Sequence, residues 1–185
     1  MHGVFGEDGS IQSILDKNNI IYNGSMSNSS KNCFDKSFTK KTVNDNNILT
    51  PDFTIVDKKN FSNHNYNFRK SVIKPNKQGS SVGFSIIDDK NKISHALDFA
   101  LEHDTHAIIE EYIEGREITV SILGNDALPI IEIKPNHGIY DYMAKYTKGA
   151  SNYICPADIS ESKSDEIKDI ALKTHKLLNL SLIHI

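Results

Sequence analysis

The sequence predicts an α+β fold whose strands pair mainly antiparallel. Residues 117–122 alternate strictly between polar and apolar side chains, which is typical of a strand with one buried face. Ile93, Ala96, Leu97 and Ala100 recur at the spacing of one helix face. Several β-type runs follow one another without a helix between them, so the regular alternation of a doubly wound parallel sheet is not expected.

The other elements are predicted in chain order from periodicity and from residues that end helices. Helices are expected over 11–15, 35–46 (stopped before Pro51) and 167–177. Strands are expected over 71–74, 84–87, 107–113, 117–122 and 128–133, the last two separated by a turn that contains Gly124. The Asn-rich segment 57–67 predicts a surface loop, and 134–150 predicts a long irregular loop.

Composition and charge exclude some classes of protein. The chain is 38% hydrophobic and 24% charged with a formal net charge of −3, so neither nucleic acid nor an anionic membrane is an expected partner.

Cys33 and Cys155 lie too far apart to form a metal-binding pair and are expected to be free thiols. The sequence shows no secretory leader and no apolar run of membrane-spanning length, which favours a cytoplasmic location.

The first motif is a lysine that precedes a glycine-bounded loop. Lys74 and Pro75 end a strand-like run, and Gly79, Ser80, Ser81, Val82 and Gly83 follow. Small residues let backbone N–H groups approach phosphate oxygens closely, and the lysine adds a positive charge. The loop is not a Walker A sequence, because no Gly-Lys-Ser/Thr opens a helix. An ordinary Gly-Ser hairpin is the alternative interpretation.

The second motif is a group of acids at the end of the next apolar strand. Glu110 and Glu111 precede Ile113, and Glu117 follows a short turn. Carboxylates here could face an adenine amino group and ribose hydroxyls, as acids do in other nucleotide sites. A solvated acidic edge of the sheet is the alternative.

The third motif lies in the long irregular loop. Residues 140–146 contain three tyrosines, an aspartate and Lys145. Long irregular loops within compact domains are often functional, so this segment is a candidate lid. The alternative is a surface loop held by aromatic anchors.

The fourth motif stands near the start of the sequence. Three glycines surround His2, Glu7 and Asp8, and a predicted helix follows. The arrangement would hold the backbone close to a small ligand, and the helix N-terminus would favour an anion. A glycine-rich turn with a helix cap is the alternative.

Taken in this order, the four motifs resemble the D-alanine–D-alanine ligases of the ATP-grasp superfamily. The resemblance runs from His2 to about Leu178 and includes the connecting pieces 22–25, 35–40 and 156–158. It implies two α+β subdomains that enclose ATP: residues 35–115, with the glycine-bounded loop, and residues 116–185, with the lid. Residues 1–34 would be the remnant of an N-terminal α/β substrate domain.

The resemblance also implies roles for individual residues. Lys36, Lys74 and the loop residues Gly79, Ser80, Ser81 and Gly83 would bind the nucleotide and its phosphates. Glu110 would meet the adenine amino group, backbone groups near Glu111 and Ile113 the adenine edge, and Glu117 the ribose. Ser80 and Tyr146 would orient the first D-alanine, with His2 and Glu7 in the same pocket. Lys145 would lie beside the transferred phosphate.

The implied reaction joins two D-alanine molecules through an acyl phosphate, with ATP as the phosphoryl donor, for peptidoglycan synthesis. The family's ligands for Mg²⁺ (or Mn²⁺) and its first βα unit have no match here, and residues 181–185 do not resemble the family's continuation. The chain is therefore expected to be an inactive fragment of an enzyme that is a homodimer when complete. Two alternatives stay open: another ATP-grasp ligase, such as one forming a D-alanyl-D-lactate ester, and a non-catalytic nucleotide-binding module.

Overall fold

The computed structural model describes residues 3–59 and 68–184. Within them the helices are α1 (Ser10–Lys17), α2 (Ser27–Phe34), α3 (Lys36–Asp45), α4 (Ile93–Leu101), α5 (Tyr142–Tyr146) and α6 (Glu161–Leu177). The strands are β1 (Phe53–Asp57), β2 (Ser71–Pro75), β3 (Ser85–Ile87), β4 (His106–Glu111), β5 (Glu117–Thr119), β6 (Ser121–Leu123), β7 (Asp126–Ala127), β8 (Ile131–Pro135), β9 (Ser151–Ile154) and β10 (Leu182–His184).

The first sheet has the strand order β1-β4-β2-β3, and all its neighbouring strands run antiparallel. Helix α4 packs on one face of this sheet because its apolar stripe recurs once per turn. Each fully buried Leu or Ile side chain contributes about 1.5–3 kcal/mol relative to an exposed one. The buried cluster comprises Val56, Ile73, Ala96, Leu97, Ala100, Leu101, Ala107 and Ile109.

The opposite face of this sheet carries charged side chains at its centre. Neighbouring residues of a strand point to opposite faces, so Glu110 faces away from the core that contains Ile109. Val72 pairs with Glu110 across β2 and β4, and Lys74 lies two residues further along on the same face. The sheet thus places a carboxylate beside a lysine.

Helix α3 is fixed to the segment that follows β2. Its N-cap residue, Asp35, accepts hydrogen bonds from the Phe38 amide (3.0 Å) and from the side chains of Ser37 (2.7 Å) and Asn76 (3.0 Å). Burial alone would raise the pKa of Asp35, but these bonds and nearby Lys77 hold it well below its usual range. The cap therefore brings the first turn of α3 to the start of the glycine-bounded loop.

The second half of the described chain corrects two strand predictions. The alternating run 117–122 is not one strand: β5 pairs with β8, whereas β6 pairs with β7 and β10 in another sheet. The run 128–133 is likewise interrupted, because Pro129 has no amide hydrogen to donate to a strand neighbour. The result is two three-stranded antiparallel sheets, β5-β8-β9 and β10-β6-β7.

Helix α6 covers the junction between these two sheets. Val120, the residue at which the alternating run changes sheets, is buried together with Ile122 and Ile130 against Ala171 of α6. The alternation correctly predicted that one side of residues 117–122 is buried. It did not show that these residues form strands in two different sheets.

The segment 134–150 is less irregular than predicted. It contains α5, whose N-cap Asp141 accepts from the Ala144 amide at 2.9 Å. The antiparallel pairing of β8 with β9 joins the two ends of the segment, with Pro135 opposite Ser151. The segment is therefore a loop that contains a short helix and connects two paired strands.

The structure confirms most of the predicted helices and three of the predicted strands. These are the helices near 11–15, 35–46 and 167–177, helix α4, and the strands β2, β3 and β4. The sequence interpretation missed α2, β1, β7, β9 and β10. Of the predicted loop 57–67, residues 60–67 lie outside the described residues. In the part of the chain that is described, no helix is both long and apolar enough to cross a bilayer. The division at residues 34 and 115 stays a prediction.

Candidate nucleotide site

A cavity of about 490 Å³ lies between the charged face of the first sheet, the glycine-bounded loop and the 134–150 segment. Its volume is in the usual range for small-molecule sites. The cavity brings together ten of the residues that the sequence singles out: Lys36, Lys74, Gly79, Ser80, Ser81, Glu110, Glu111, Ile113, Glu117 and Lys145.

The glycine-bounded loop has an unusual backbone. Ser80 and Ser81 have φ values of 54° and 58°, in the left-handed region that side chains disfavour, and Gly83 has φ 69°. Strained conformations of this kind are often maintained at ligand sites. The consecutive left-handed residues favour a binding role for this loop over the interpretation as an ordinary hairpin.

The glycine-bounded loop directly contacts the candidate lid, residues 140–146. The Ser80 hydroxyl lies 2.8 Å from the Tyr146 hydroxyl, although 66 residues separate them in the chain. Tyr146 does not line the cavity itself, and its ring packs against Tyr142 with centroids 4.8 Å apart. The contact joins the glycine-bounded loop to helix α5.

Three lysines point into the cavity from different elements. Lys36 Nζ donates to the backbone carbonyls of Gln78 (2.5 Å) and Asn76 (3.2 Å). Burial lowers the pKa of Lys36 to about 8, and the charge of Lys74 acts in the same direction. Lys145 Nζ lies 5.4 Å from the ring centroid of Tyr140, a cation–π distance. The cavity therefore contains three lysines, whose charge is balanced in its lining by Glu110, Glu111 and Glu117.

Glu110 is the centre of a buried ion-pair cluster. Its carboxylate pairs with Lys74 and, at 2.9 Å, with Lys40. Burial would raise the pKa of Glu110, but the two lysines hold it below its usual value. The sequence interpretation placed Lys40 only in a connecting match and missed this pairing. Lys40 lies one helical turn after Lys36 on α3, and this spacing was the sequence signal that could have identified it.

Of the remaining acids, Glu111 ends β4 of the first sheet, and Glu117 begins β5 of the sheet β5-β8-β9. The Glu111 amide donates to the Asp52 carbonyl at 2.9 Å, and the Tyr112 amide donates to the Lys70 carbonyl at 3.0 Å. Burial raises the pKa of Glu117, and the charge of Lys145 opposes this shift. Glu117 and Lys145 thus lie close enough to influence each other.

Besides Tyr146, two described residues among those predicted, Glu7 and Gly83, do not line the cavity. Glu7 accepts from the Gly3 amide at 2.5 Å and reaches beneath the loop, where its carboxylate lies 2.9 Å from the position of a Cβ on Gly79. It lines a neighbouring cavity of about 430 Å³. Gly83 packs against Pro75. His2 lies outside the described residues.

Magnesium ligands were not expected in this chain. Across the described residues, no group of three His, Cys, Asp or Glu side chains could hold a metal ion. The acids at the cavity are either paired with lysines or spread along its edge. These residues do not fit a metal centre, and the role of Mg²⁺ stays a prediction.

The fold and the cavity together define an α+β protein of the ATP-grasp class. A family model described as "D-ala D-ala ligase C-terminus" matches residues 43–183. The chain belongs to the D-alanine–D-alanine ligase family. Because this match continues through Ile183 and β10 pairs with β6, the expectation that residues 181–185 are unrelated to the family is wrong up to Ile183.

Individual relatives support the same family. The chain is 40% identical over 184 residues to the D-alanine–D-alanine ligase of Methylacidiphilum infernorum, which covers 98% of this chain and 59% of that protein. The VanG D-Ala:D-Ser ligase of Enterococcus faecalis superposes with a TM-score of 0.83 at 31% identity, over 99% of this chain and 56% of that one. The Bacillus anthracis D-alanine–D-alanine ligase complexed with ATP superposes with a TM-score of 0.80 at 29% identity. The superposition covers 100% of this chain and 59% of that one. The chain thus spans about three fifths of these proteins.

Proposed function

We propose that this chain is part of an ATP-dependent ligase that joins two D-alanine molecules for peptidoglycan synthesis. The observation that carries the proposal is the cavity in which Lys36, Lys74 and Lys145 converge on the glycine-bounded loop, within a chain of this family. The complete enzyme would be cytoplasmic and homodimeric.

The cavity offers complementary groups for each part of ATP. The phosphates would lie against the three lysines and the loop. The lysines would neutralise the negative charge, and the small loop residues would let backbone N–H groups approach the phosphate oxygens. The adenine would occupy the end near Glu110, Glu111 and Ile113, and the ribose would lie near Glu117. The crystal structure of the Bacillus anthracis relative complexed with ATP supports this choice of nucleotide.

The reaction would proceed in two steps. A carboxylate oxygen of the first D-alanine attacks the γ-phosphorus, which breaks the bond to ADP and forms an acyl phosphate. The amine of the second D-alanine then attacks the acyl carbon, and phosphate leaves. Negative charge grows in both transition states, so Lys36, Lys74 and Lys145 would stabilise them electrostatically.

Substrate orientation would depend on the contact between loop and lid. Ser80 and Tyr146 would position the first D-alanine, and Glu7 with His2 would complete that pocket from the neighbouring cavity. Mg²⁺ or Mn²⁺ would neutralise the phosphates when bound. The described residues supply no cluster for it, so no step here depends on a residue that holds it.

The proposal is tested by ADP and phosphate release from the complete protein that contains this chain. We expect turnover with D-alanine alone, and D-alanyl-D-alanine as the product by mass spectrometry. D-alanyl-D-serine is the second candidate product, because the VanG D-Ala:D-Ser ligase has this fold at a TM-score of 0.83. Turnover that requires D-serine would favour that candidate, and turnover that requires D-lactate would indicate an ester-forming ligase.

Replacing Tyr146 by phenylalanine tests the role of the contact between loop and lid. The change removes the hydroxyl that lies 2.8 Å from Ser80 and keeps the ring. We expect the KM for the first D-alanine to rise about two- to tenfold, the worth of one net hydrogen bond, with ATP affinity unchanged. Steady-state kinetics measure both quantities. Tyr142→Phe, one helical turn away, is the control, and equal effects of the two changes would assign Tyr146 to packing alone.

A further inference from the structure

The buried lysine–glutamate cluster, formed by Lys40, Lys74 and Glu110, has an asymmetry that points to a function. Oε1 of Glu110 pairs with Lys74, and Oε2 pairs with Lys40. The Lys40 side chain is 10% exposed and does not line the cavity, whereas that of Lys74 is 24% exposed and does. Lys74 can therefore reach a ligand in the cavity, whereas Lys40 cannot.

The surroundings of Lys40 fix its ammonium group. Its Nζ donates to the Thr50 hydroxyl at 2.8 Å and lies 4.9 Å from the ring centroid of Phe53. Phe53 is the residue of β1 that pairs with Glu110. A hydroxyl, an aromatic ring and a carboxylate therefore hold Lys40 at the back of the cluster, on the side away from the cavity.

Charge balance explains why the second lysine matters. If Lys74 turned from Glu110 towards a phosphate and no second lysine were present, Glu110 would be left as an unpaired buried carboxylate, which is strongly unfavourable. Lys40 removes most of this cost, because it keeps its ion pair while Lys74 moves. A cation behind the carboxylate thus makes Lys74 available to an anionic ligand.

We propose that Lys40 is a positioning residue for nucleotide binding: it holds Glu110 while Lys74 exchanges the carboxylate for a phosphate of ATP. The inference rests on the proposed function of the cavity. In this structure Lys74 pairs with Glu110 Oε1. When ATP binds, Oε1 becomes free to accept a hydrogen bond from the adenine amino group, so adenine recognition and phosphate binding are linked through one carboxylate.

The test compares ATP dissociation constants by calorimetry on the complete protein that contains this chain. We expect Lys40→Met to raise the Kd for ATP about tenfold or more, as for a residue coupled within one charge network. Lys40→Arg should recover most of this loss because it keeps the charge. Lys41→Met, at the exposed neighbouring position on α3, should leave the Kd unchanged.

A double-mutant cycle separates positioning from general stability. In a Glu110→Gln background the carboxylate charge is absent, so Lys40→Met should change the Kd for ATP by less than about twofold. An equal loss in both backgrounds would overturn the inference, because Lys40 would then act independently of Glu110. So would an unchanged Kd in Lys40→Met alone. Absence of ATP binding by the unmodified protein would instead overturn the proposed function, and the inference with it.

Discussion

Replacing Lys74 by alanine is expected to lower kcat/KM of the complete ligase by about two to three orders of magnitude, the loss that follows removal of one preorganised electrostatic donor. Lys74 is the cavity lysine carried by β2 of the first sheet, on the face that holds Glu110. Its charge would stabilise the phosphates as negative charge grows during transfer, and water cannot replace a fixed cation at the same position.

Phosphate release with D-alanine and ATP measures this effect. Lys58→Ala is the control, since Lys58 is an exposed lysine just after β1. Thermal unfolding should accompany the kinetics, because the change also removes one partner of the buried Glu110. Near wild-type turnover of a folded Lys74→Ala protein would show that the lysine serves only to neutralise Glu110.

Replacing Gly83 by alanine should destabilise the protein and distort the end of the glycine-bounded loop. A Cβ at this position would lie 2.7 Å from Pro75 Cγ and 2.8 Å from His103 Cδ2, closer than real contacts allow. Pro75 is fully buried and cannot move aside easily. Overpacking costs about 1–3 kcal/mol. The left-handed backbone, with φ +69°, adds about 1–2 kcal/mol for a residue with a side chain.

Gly124→Ala provides a matched control for this prediction. Gly124 has a similar φ of +63°, but no atom lies within 4 Å of its Cβ position. The control should therefore show only the conformational cost, about 1–2 kcal/mol. Denaturant unfolding of both variants gives the difference in the free energy of unfolding. Equal destabilisation of the two would show that the contact with Pro75 is relieved without cost.

Local patterns explain why much of the fold could be predicted. The apolar spacing of α4 and the glycine-bounded loop are properties of short stretches of chain, and they predicted the correct helix and turn. The split of residues 117–122 could not be predicted in this way, because alternation reports which side of a strand is buried and not which sheet it joins. Strand β1 was also missed, although it lies against the predicted strand β4.

The assignment of charged residues shows the same division. The motifs predicted Lys74 and Glu110 as members of a nucleotide site, but they assigned the two residues to different parts of the ligand. Their ion pair depends on the register of β2 against β4, and the Lys40 contact depends on the position of Lys40 of α3 beside Phe53 of β1. Neither relation can be read from spacing along the chain.

By itself, the sequence determined the α+β class, the glycine-bounded loop, the candidate site residues and the family resemblance, because each is encoded in residues close together in the chain. Only the tertiary structure decided that Ser80 meets Tyr146, that Lys40 stands behind Glu110, and that one alternating run serves two sheets. These contacts join segments far apart in sequence. Their geometry is set by strand register and by the packing of helices on sheets, which depend on the whole core at once.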